Sequence, residues 1–367
     1  MRLRDAARLA RQRFAQEARE KLYLSLGVDT TRPLAVQGIV NERCNYKCAY
    51  CEFWRLAHYK DEMGLEDWQR ALAGLQDWIG NFTIQYAGGE PLIYKPFLPL
   101  VEFCHARGIG WGVITNGSVL TESVVERLVG AAPINIDISV DGVDAATHDD
   151  VRGVKDSLAK IAAGIGRLRA ARDRAGSKTS IRIKPTVHRR NLHGLPALVR
   201  WTQDVGGDTI DFSPVRPWTP EVDGDLWIRS PEDVATMQRV VDELVALRAA
   251  GAPIETEPSR LQSWAAHFRG EAVRPEVSPC RVGLRDFHIL PDGEVRMCWH
   301  YQTIGSVREH TPKELWHGEV AKRQRAAMMR CAMFGSVECA SSCLAHRTLR
   351  QDFRRGWMLV RSRLRGG

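Results

Sequence analysis

The stretch Asn41–Trp54, NERCNYKCAYCEFW, places Cys44, Cys48 and Cys51 in the spacing C-x3-C-x2-C, directly after the apolar run Leu34–Val40. A short apolar run bounded by turn-forming residues reads as a buried strand. Three thiolates on the loop that follows it can occupy three corners of a metal centre. Structural zinc and electron-transfer iron–sulfur sites are closed by four protein ligands, whereas a catalytic metal keeps one position for a substrate or cofactor. With no further Cys or His beside it, the triplet points to an open site. A zinc loop completed from a distance and a thiol redox pair are the competing readings.

Outward from this loop, strand-like runs alternate with amphipathic helical stretches, the pattern of βα units around a parallel sheet. The expected strands are Leu34–Val40, Phe82–Ala87, Trp111–Thr115, Ile134–Val140, Ile181–Val187 and Thr209–Ser213. Helices are expected near Leu65–Ile79, Phe97–Arg107, Ser123–Leu128, Ser157–Arg174 and Leu195–Val205. Six repeats fit a partial (β/α)6 TIM-like barrel better than an eight-fold barrel, which needs about 250 residues. Sites in such barrels lie at the C-terminal strand ends. There the chain carries Gly88-Gly89-Glu90-Pro91 after the second strand, Thr115-Asn116-Gly117 after the third, and Ser139, Asp141 and Gly142 after the fourth. Thr-Asn-Gly and Asp-Gly are ordinary turn sequences. Gly-Gly-Glu-Pro asks for more, because its glycines allow close backbone approach to a ligand and Glu90 offers an anion to an ammonium group.

The alternation ends after Pro214, where Pro217–Ile228 reads as a loop that could border the site and Pro231–Ala250 as a helix. Beyond them come Cys280, Cys298, Cys331, Cys339 and Cys343, with a hairpin expected from Phe287–Leu290 and Glu294–Cys298 around Pro291-Asp292-Gly293. His346–Arg365 reads as a basic helix before Gly366-Gly367. The organisation expected is an N-terminal helix (1–33), a barrel (34–230) and a C-terminal region (231–367). In the N-terminal helix, Leu3, Ala7, Ala10, Phe14, Ala18 and Leu22 share one face.

Composition bounds the function. The 367 residues are 44% hydrophobic and 26% charged, with no apolar run long enough to span a bilayer and no signal-peptide core. Nine cysteines in a chain without an export signal argue for a reducing, cytoplasmic setting and for metal binding rather than disulfides. Cys104, alone on an expected helix, reads as a small core residue. From Arg308 onward thirteen Lys/Arg face five Asp/Glu, which accounts for the whole net charge of +8. The basic residues are not interleaved with aromatic platforms, so a solvated face is preferred to nucleic-acid binding, and no membrane partner is expected.

From Leu34 to about Cys343 the chain resembles a radical S-adenosylmethionine (SAM) enzyme with a SPASM or twitch C-terminal extension, CNYKCAYC and AGGEP being its most specific parts. The resemblance implies that Cys44, Cys48 and Cys51 hold a [4Fe–4S] cluster whose open iron is chelated by SAM. It assigns Tyr50 to the adenine, Gly88, Gly89, Glu90 and Pro91 to the methionine ammonium, and Asn116, Ser139 and Asp141 to the ribose or carboxylate. The implied chemistry is reductive cleavage of SAM to a 5′-deoxyadenosyl radical that abstracts hydrogen from an unactivated carbon, with flavodoxin or ferredoxin as electron donor.

The same resemblance implies one auxiliary [4Fe–4S] cluster on Cys280, Cys298, Cys339 and Cys343, with Cys331 a replacement ligand or a free thiol and zinc the alternative metal. The cysteines are too few for two auxiliary clusters. Tailoring of a small polar metabolite, by dehydrogenation, epimerisation or rearrangement, is the first expectation for the substrate, because only about 33 residues precede the first strand, fewer than peptide-recognition modules need. Maturation of a ribosomally made peptide is the alternative. A nucleotide-rearranging enzyme and a non-enzymatic iron–sulfur or zinc protein carry less weight. Tyr59, Tyr86, Tyr301 and Cys104 are candidate hydrogen donors.

Overall fold

The computed structural model describes residues 3–55, 61–220, 222–272, 279–337 and 339. Its strands are β1 (Ala35–Ile39), β2 (Thr83–Ala87), β3 (Gly110–Thr115), β4 (Asn135–Ile138), β5 (Ser180–Ile183), β6 (Thr186–Val187), β7 (Thr209–Ile210), β8 (Ser213–Pro214), β9 (Asp286–Ile289) and β10 (Val295–Arg296). The eight-stranded sheet runs β10-β9-β1-β2-β3-β4-β5-β7, and β6 and β8 form a small second sheet. All neighbours in the large sheet are parallel except β10, which returns antiparallel to β9.

The long helices are α1 (Leu3–Leu26), α2 (Leu65–Ile79), α3 (Phe97–Ala106), α4 (Glu122–Gly130), α5 (Ala145–Arg152), α6 (Ser157–Arg174), α7 (Leu195–Asp204) and α8 (Pro231–Ala249). In α2, Trp68, Ala71, Leu72 and Leu75 recur at the spacing that lines one helical face, and all are buried. That face meets the strand residues Ile84 and Tyr86, with Trp68 edge-on to Tyr86 at 6.1 Å and Phe97 edge-on at 5.5 Å. The helix-facing layer continues through Trp111, Val113, Ile136, Ile138, Ile181 and Ile183, all buried.

Alternate strand residues point to the opposite face, and there the sheet is polar. His288 Nδ1 meets Gln37 Oε1 at 2.8 Å, Asn135 Nδ2 meets Gln85 Oε1 and Asp137 Oδ1, and Arg182 grips Asp137 through two 2.6 Å bonds. Lys184 pairs with Asp211 at 3.0 Å. Parallel sheets covered on both faces ordinarily read as continuous hydrophobic runs. This sheet is apolar toward its helices and charged on its other side.

Two local features depart from the expected pattern. The runs Ile181–Val187 and Thr209–Ser213 each divide in two. Pro185 has no N–H to continue the β5 ladder, and after it β6 pairs with β8 instead. Helix α5 was not expected. In α1, Phe14 is 54% exposed, while the polar Gln16 and Glu20 are buried.

Glu20 takes bonds from Arg285 through both carboxylate oxygens at 2.7 Å and from Arg281 at 2.7 Å, and Gln16 donates to the Leu284 carbonyl. The N-terminal helix is thereby keyed to the segment that follows Cys280. The predicted hairpin is present, with Gly293 at φ +90° donating to the Leu290 carbonyl, and its first strand is the one that covers the β1 edge. The expected helix His346–Arg365 lies outside the described residues.

Candidate active site

The loops leaving β1, β2, β3 and β4 converge at one end of the sheet, as expected of the barrel. Gly89 N–H donates to the Asn41 carbonyl at 2.9 Å, Glu90 N–H to the Arg43 carbonyl at 2.8 Å, and Asn41 Nδ2 returns a bond to the Glu90 carbonyl at 3.1 Å. A Cβ on Gly88 would fall on the Asn41 carbonyl and one on Gly89 on the Arg43 carbonyl. Both glycines are therefore required by the docking of this loop onto the cysteine loop.

Glu90 is fully buried. Its Oε1 accepts from Thr115 Oγ1 at 2.7 Å and Leu92 N at 3.0 Å, and its Oε2 from Asn116 N at 2.7 Å. Burial pushes this carboxyl up to about 7, against three hydrogen bonds that favour its charged form. It also caps the short helix that Pro91 begins. Asn116 Nδ2 reaches Asn45 Oδ1 at 2.9 Å and Cys44 Sγ at 3.7 Å. Ser139, half-buried, donates its N–H to the Thr115 carbonyl.

Asp141 has partners within the protein. It accepts from Tyr50 Oη at 2.7 Å and Thr186 N at 2.8 Å, and lies 2.7 Å from Arg152 Nε. Burial works against its charge, but the Arg152 guanidinium holds the carboxyl below the usual range. Tyr50 sits between that guanidinium, 5.4 Å from its ring, and the His188 ring at 6.1 Å. His148, whose Nδ1 accepts from Asp141 N at 3.1 Å, and His188 are both pushed down to about 4 by burial.

Around the triplet, Cys48 is buried and Cys44 and Cys51 half-buried. Burial raises all three thiols, Cys48 to about 12. They are neutral on their own and become thiolates when a cation takes them as ligands. Donors already face the sulfurs: Tyr46 N at 3.4 Å and Asn116 Nδ2 at 3.7 Å from Cys44, and Arg152 Nη1 at 3.8 Å from Cys48. Buried thiols with N–H groups aimed at them fit an iron–sulfur centre. Among the described residues, no group of three or more His, Cys, Asp or Glu is arranged to hold a single metal ion.

A second group gathers Cys280, Cys298, Cys331 and Cys339, each close enough to Cys280 to act on it electrostatically. Burial raises Cys280 to about 12 and Cys298 to about 11. Cys331 stands within the group, and Cys343 lies outside the described residues. The loop after Pro214 connects the two groups: Arg216 Nη1 donates to the Cys339 carbonyl at 2.6 Å and Thr219 Oγ1 to the Ala49 carbonyl at 3.2 Å.

Among the candidate hydrogen donors, Tyr86 and Cys104 are buried against each other, Oη to Sγ 3.2 Å, on the helix side of the sheet. Tyr301 lies beside Cys331 and Cys298, and Tyr59 is outside the described residues. Sequence reasoning missed Arg152, His148 and His188. For Arg152 and His148 the only signal was an Asp-Gly turn followed by a charged segment ending in Arg152-Gly153.

Residues 39–185 match the radical SAM superfamily and residues 280–344 match SPASM, an iron–sulfur cluster-binding domain. The chain carries a radical SAM domain and a SPASM domain. Its cofactors are accordingly SAM and iron–sulfur clusters. This radical SAM chain is 27% identical to a PqqA peptide cyclase of Bradyrhizobium diazoefficiens over 50% of its own length and 47% of that relative, about half of it. It is 25% identical to the PqqA peptide cyclase of Rhodopseudomonas palustris, over 85% of this chain and 84% of that one. A tungsten-containing aldehyde ferredoxin oxidoreductase cofactor-modifying protein of Pyrococcus furiosus is 28% identical, over 76% and 80%. Streptococcus suis SuiB bound to precursor peptide SuiA superposes with TM-score 0.65 at 17% identity, covering 90% of this chain and 80% of that one. At that identity the likeness is one of fold. Among the described residues, no helix is long and apolar enough to cross a membrane.

Proposed function

We propose that this radical SAM enzyme matures a ribosomally made peptide by crosslinking, epimerisation or decarboxylation. The observation that carries the reading is the run of peptide cyclases among its relatives, one of them matched over 85% of this chain. Of the two substrate classes expected from sequence, that finding favours the peptide over the small metabolite. The polar inner face of the sheet supports a substrate with hydrogen-bonding groups along its length.

In this reading Cys44, Cys48 and Cys51 hold the SAM-binding cluster. Cys280, Cys298 and Cys339, with Cys331 or Cys343, hold the auxiliary one. When bound, the first cluster and SAM supply a 5′-deoxyadenosyl radical that takes a hydrogen atom from a substrate carbon. The protein's part is position and enclosure. The strand-end loops at Gly88–Pro91, Asn116 and Ser139 border the place for SAM, and the Glu90 carboxylate is held there by three donors with lone pairs to spare. Asp141 acts indirectly, by fixing the Tyr50 ring. The loop from Arg216 to Thr219, tied to both cysteine groups, borders the substrate's path. A small protein such as flavodoxin or ferredoxin supplies the electron.

The test is anaerobic incubation of the reconstituted protein with SAM, dithionite and a short peptide encoded beside its gene. A mass change in the peptide that accompanies 5′-deoxyadenosine supports the reading. An unaltered peptide, alongside turnover of a sugar or nucleoside, rejects it.

A further inference from the structure

We propose that Arg152 is a positioning residue that sets the reduction potential of the cluster held by Cys44, Cys48 and Cys51, through a buried, cationic N–H directed at the Cys48 sulfur. The inference rests on the assignment of that triplet under the proposed function.

Arg152 is the last residue of α5, and its side chain is only 7% exposed. The helix is placed from both ends. Asp144 caps its N-terminus by accepting from Thr147 N at 2.8 Å, and Gly153 ends it in the left-handed conformation at φ +68°. A Cβ on Gly153 would press on the Lys47 carbonyl at 2.9 Å, and Ala49 N–H donates to the Val151 carbonyl at 2.9 Å. The helix terminus is thus seated on the cysteine loop itself, and the guanidinium has little freedom to leave it.

Three contacts then define where the charge points. Nε lies 2.7 Å from Asp141 Oδ2, with its N–H off that line, so this contact is charge attraction more than an aligned hydrogen bond. The guanidinium carbon stands 5.4 Å from the Tyr50 ring centre. Nη1 is 3.8 Å from Cys48 Sγ. The other donors described on triplet sulfurs, Tyr46 N and Asn116 Nδ2 on Cys44, are uncharged.

A reduced cluster carries one more negative charge than an oxidised one, so a cation near a ligating sulfur stabilises the reduced form more and raises the potential. The effect is larger where water is excluded. Asp141, held against the guanidinium at 2.7 Å, opposes it. At the sulfur itself the described contact is with the cation, whose Nη1 stands 3.8 Å from Cys48 Sγ.

The test is redox titration of the reconstituted full-length protein, followed by electron paramagnetic resonance of the signal that SAM perturbs, which identifies the first cluster. Arg152→Gln is expected to move its midpoint to more negative potential, Arg152→Lys by less, and Asp141→Asn in the positive direction. Shifts of opposite sign on opposite sides of one ion pair are not produced by a merely structural role. If Arg152→Gln does not fold, as thermal melting would report, the other two variants decide. Unchanged midpoints in variants that carry the cluster overturn the inference. Failure of the wild-type triplet to take up iron would instead overturn the assignment on which it rests.

Discussion

The two cysteine groups present thiols of the same kind in scaffolds of opposite kind. Cys44, Cys48 and Cys51 occupy a single loop, gripped by the strand-end loops after β2, β3 and β4 and by the end of α5. Cys280, Cys298, Cys331 and Cys339 are spread between positions 280 and 339, and their placement depends on contacts distant in sequence. Among these are Glu20 with Arg281 and Arg285, and Arg216 with the Cys339 carbonyl. Burial raises Cys48 in the first group and Cys280 and Cys298 in the second. The difference teaches that a loop-borne site is specified by its spacing, whereas a dispersed site is specified by the fold that assembles it.

The largest effect separates the groups by function. Cys48→Ala should abolish 5′-deoxyadenosine formation, while Cys298→Ala should retain it and lose the peptide product, as chromatography and mass spectrometry would show. Loss of SAM cleavage in both variants would erase the distinction. Next, Glu20→Ala removes the buried carboxylate shared by Arg285 and the half-buried Arg281 and should cost about 3–5 kcal/mol. Thermal melting reads the loss, and the C-terminal group should release iron to a chelator before the triplet does. Release in the opposite order would show that the dispersed group does not depend on α1.

A third test concerns the N-terminal site before cofactors bind. Glu90 has a folded-state value of about 7 against 4.5 for the free group. Between those values the folded state holds more protons than the unfolded state. Stability should therefore fall as pH rises across that window, by up to about 3 kcal/mol. Glu90→Gln should flatten that dependence in melts of the cofactor-free protein at pH 5 and 7.5; an unchanged slope would mean that the three donors offset the burial. The smallest effect is expected from Tyr86→Phe, which removes one buried bond to Cys104 worth about 0.5–1.5 kcal/mol. It should leave the yield of 5′-deoxyadenosine and product untouched, because Tyr86 faces the helices.

Much of the fold was legible because β1–β4 each bury an apolar layer against helices, and α2 spaces its apolar residues at helical intervals. The cysteine loop and Gly-Gly-Glu-Pro were legible for their spacing, although the glycines answer to the cysteine loop's carbonyls. Asp141 was singled out as a cofactor-facing group and proves to pair with Arg152, a partner that only the docking of α5 supplies. The apolar face of α1 was legible, whereas the contacts of Glu20 with Arg281 and Arg285 were not. Such pairings join residues 20 with 285 and 141 with 152 through tertiary geometry, which periodicity does not encode.

The pairing of β9 with β1 has a consequence for how the protein is made. Ala35 is hydrogen-bonded beside Asp286, so the strand that leads into the cysteine loop keeps one side unpaired until the chain returns about 250 residues later. At about 5–20 residues per second, that interval is on the order of 10–50 s. During it the N-terminal strands can pair with one another but β1 remains an open edge, the kind of surface that recruits strands from other chains. Truncations ending before β9 should therefore aggregate rather than yield a smaller soluble barrel, and translation of the C-terminal region would govern when the N-terminal site becomes safe from misassembly.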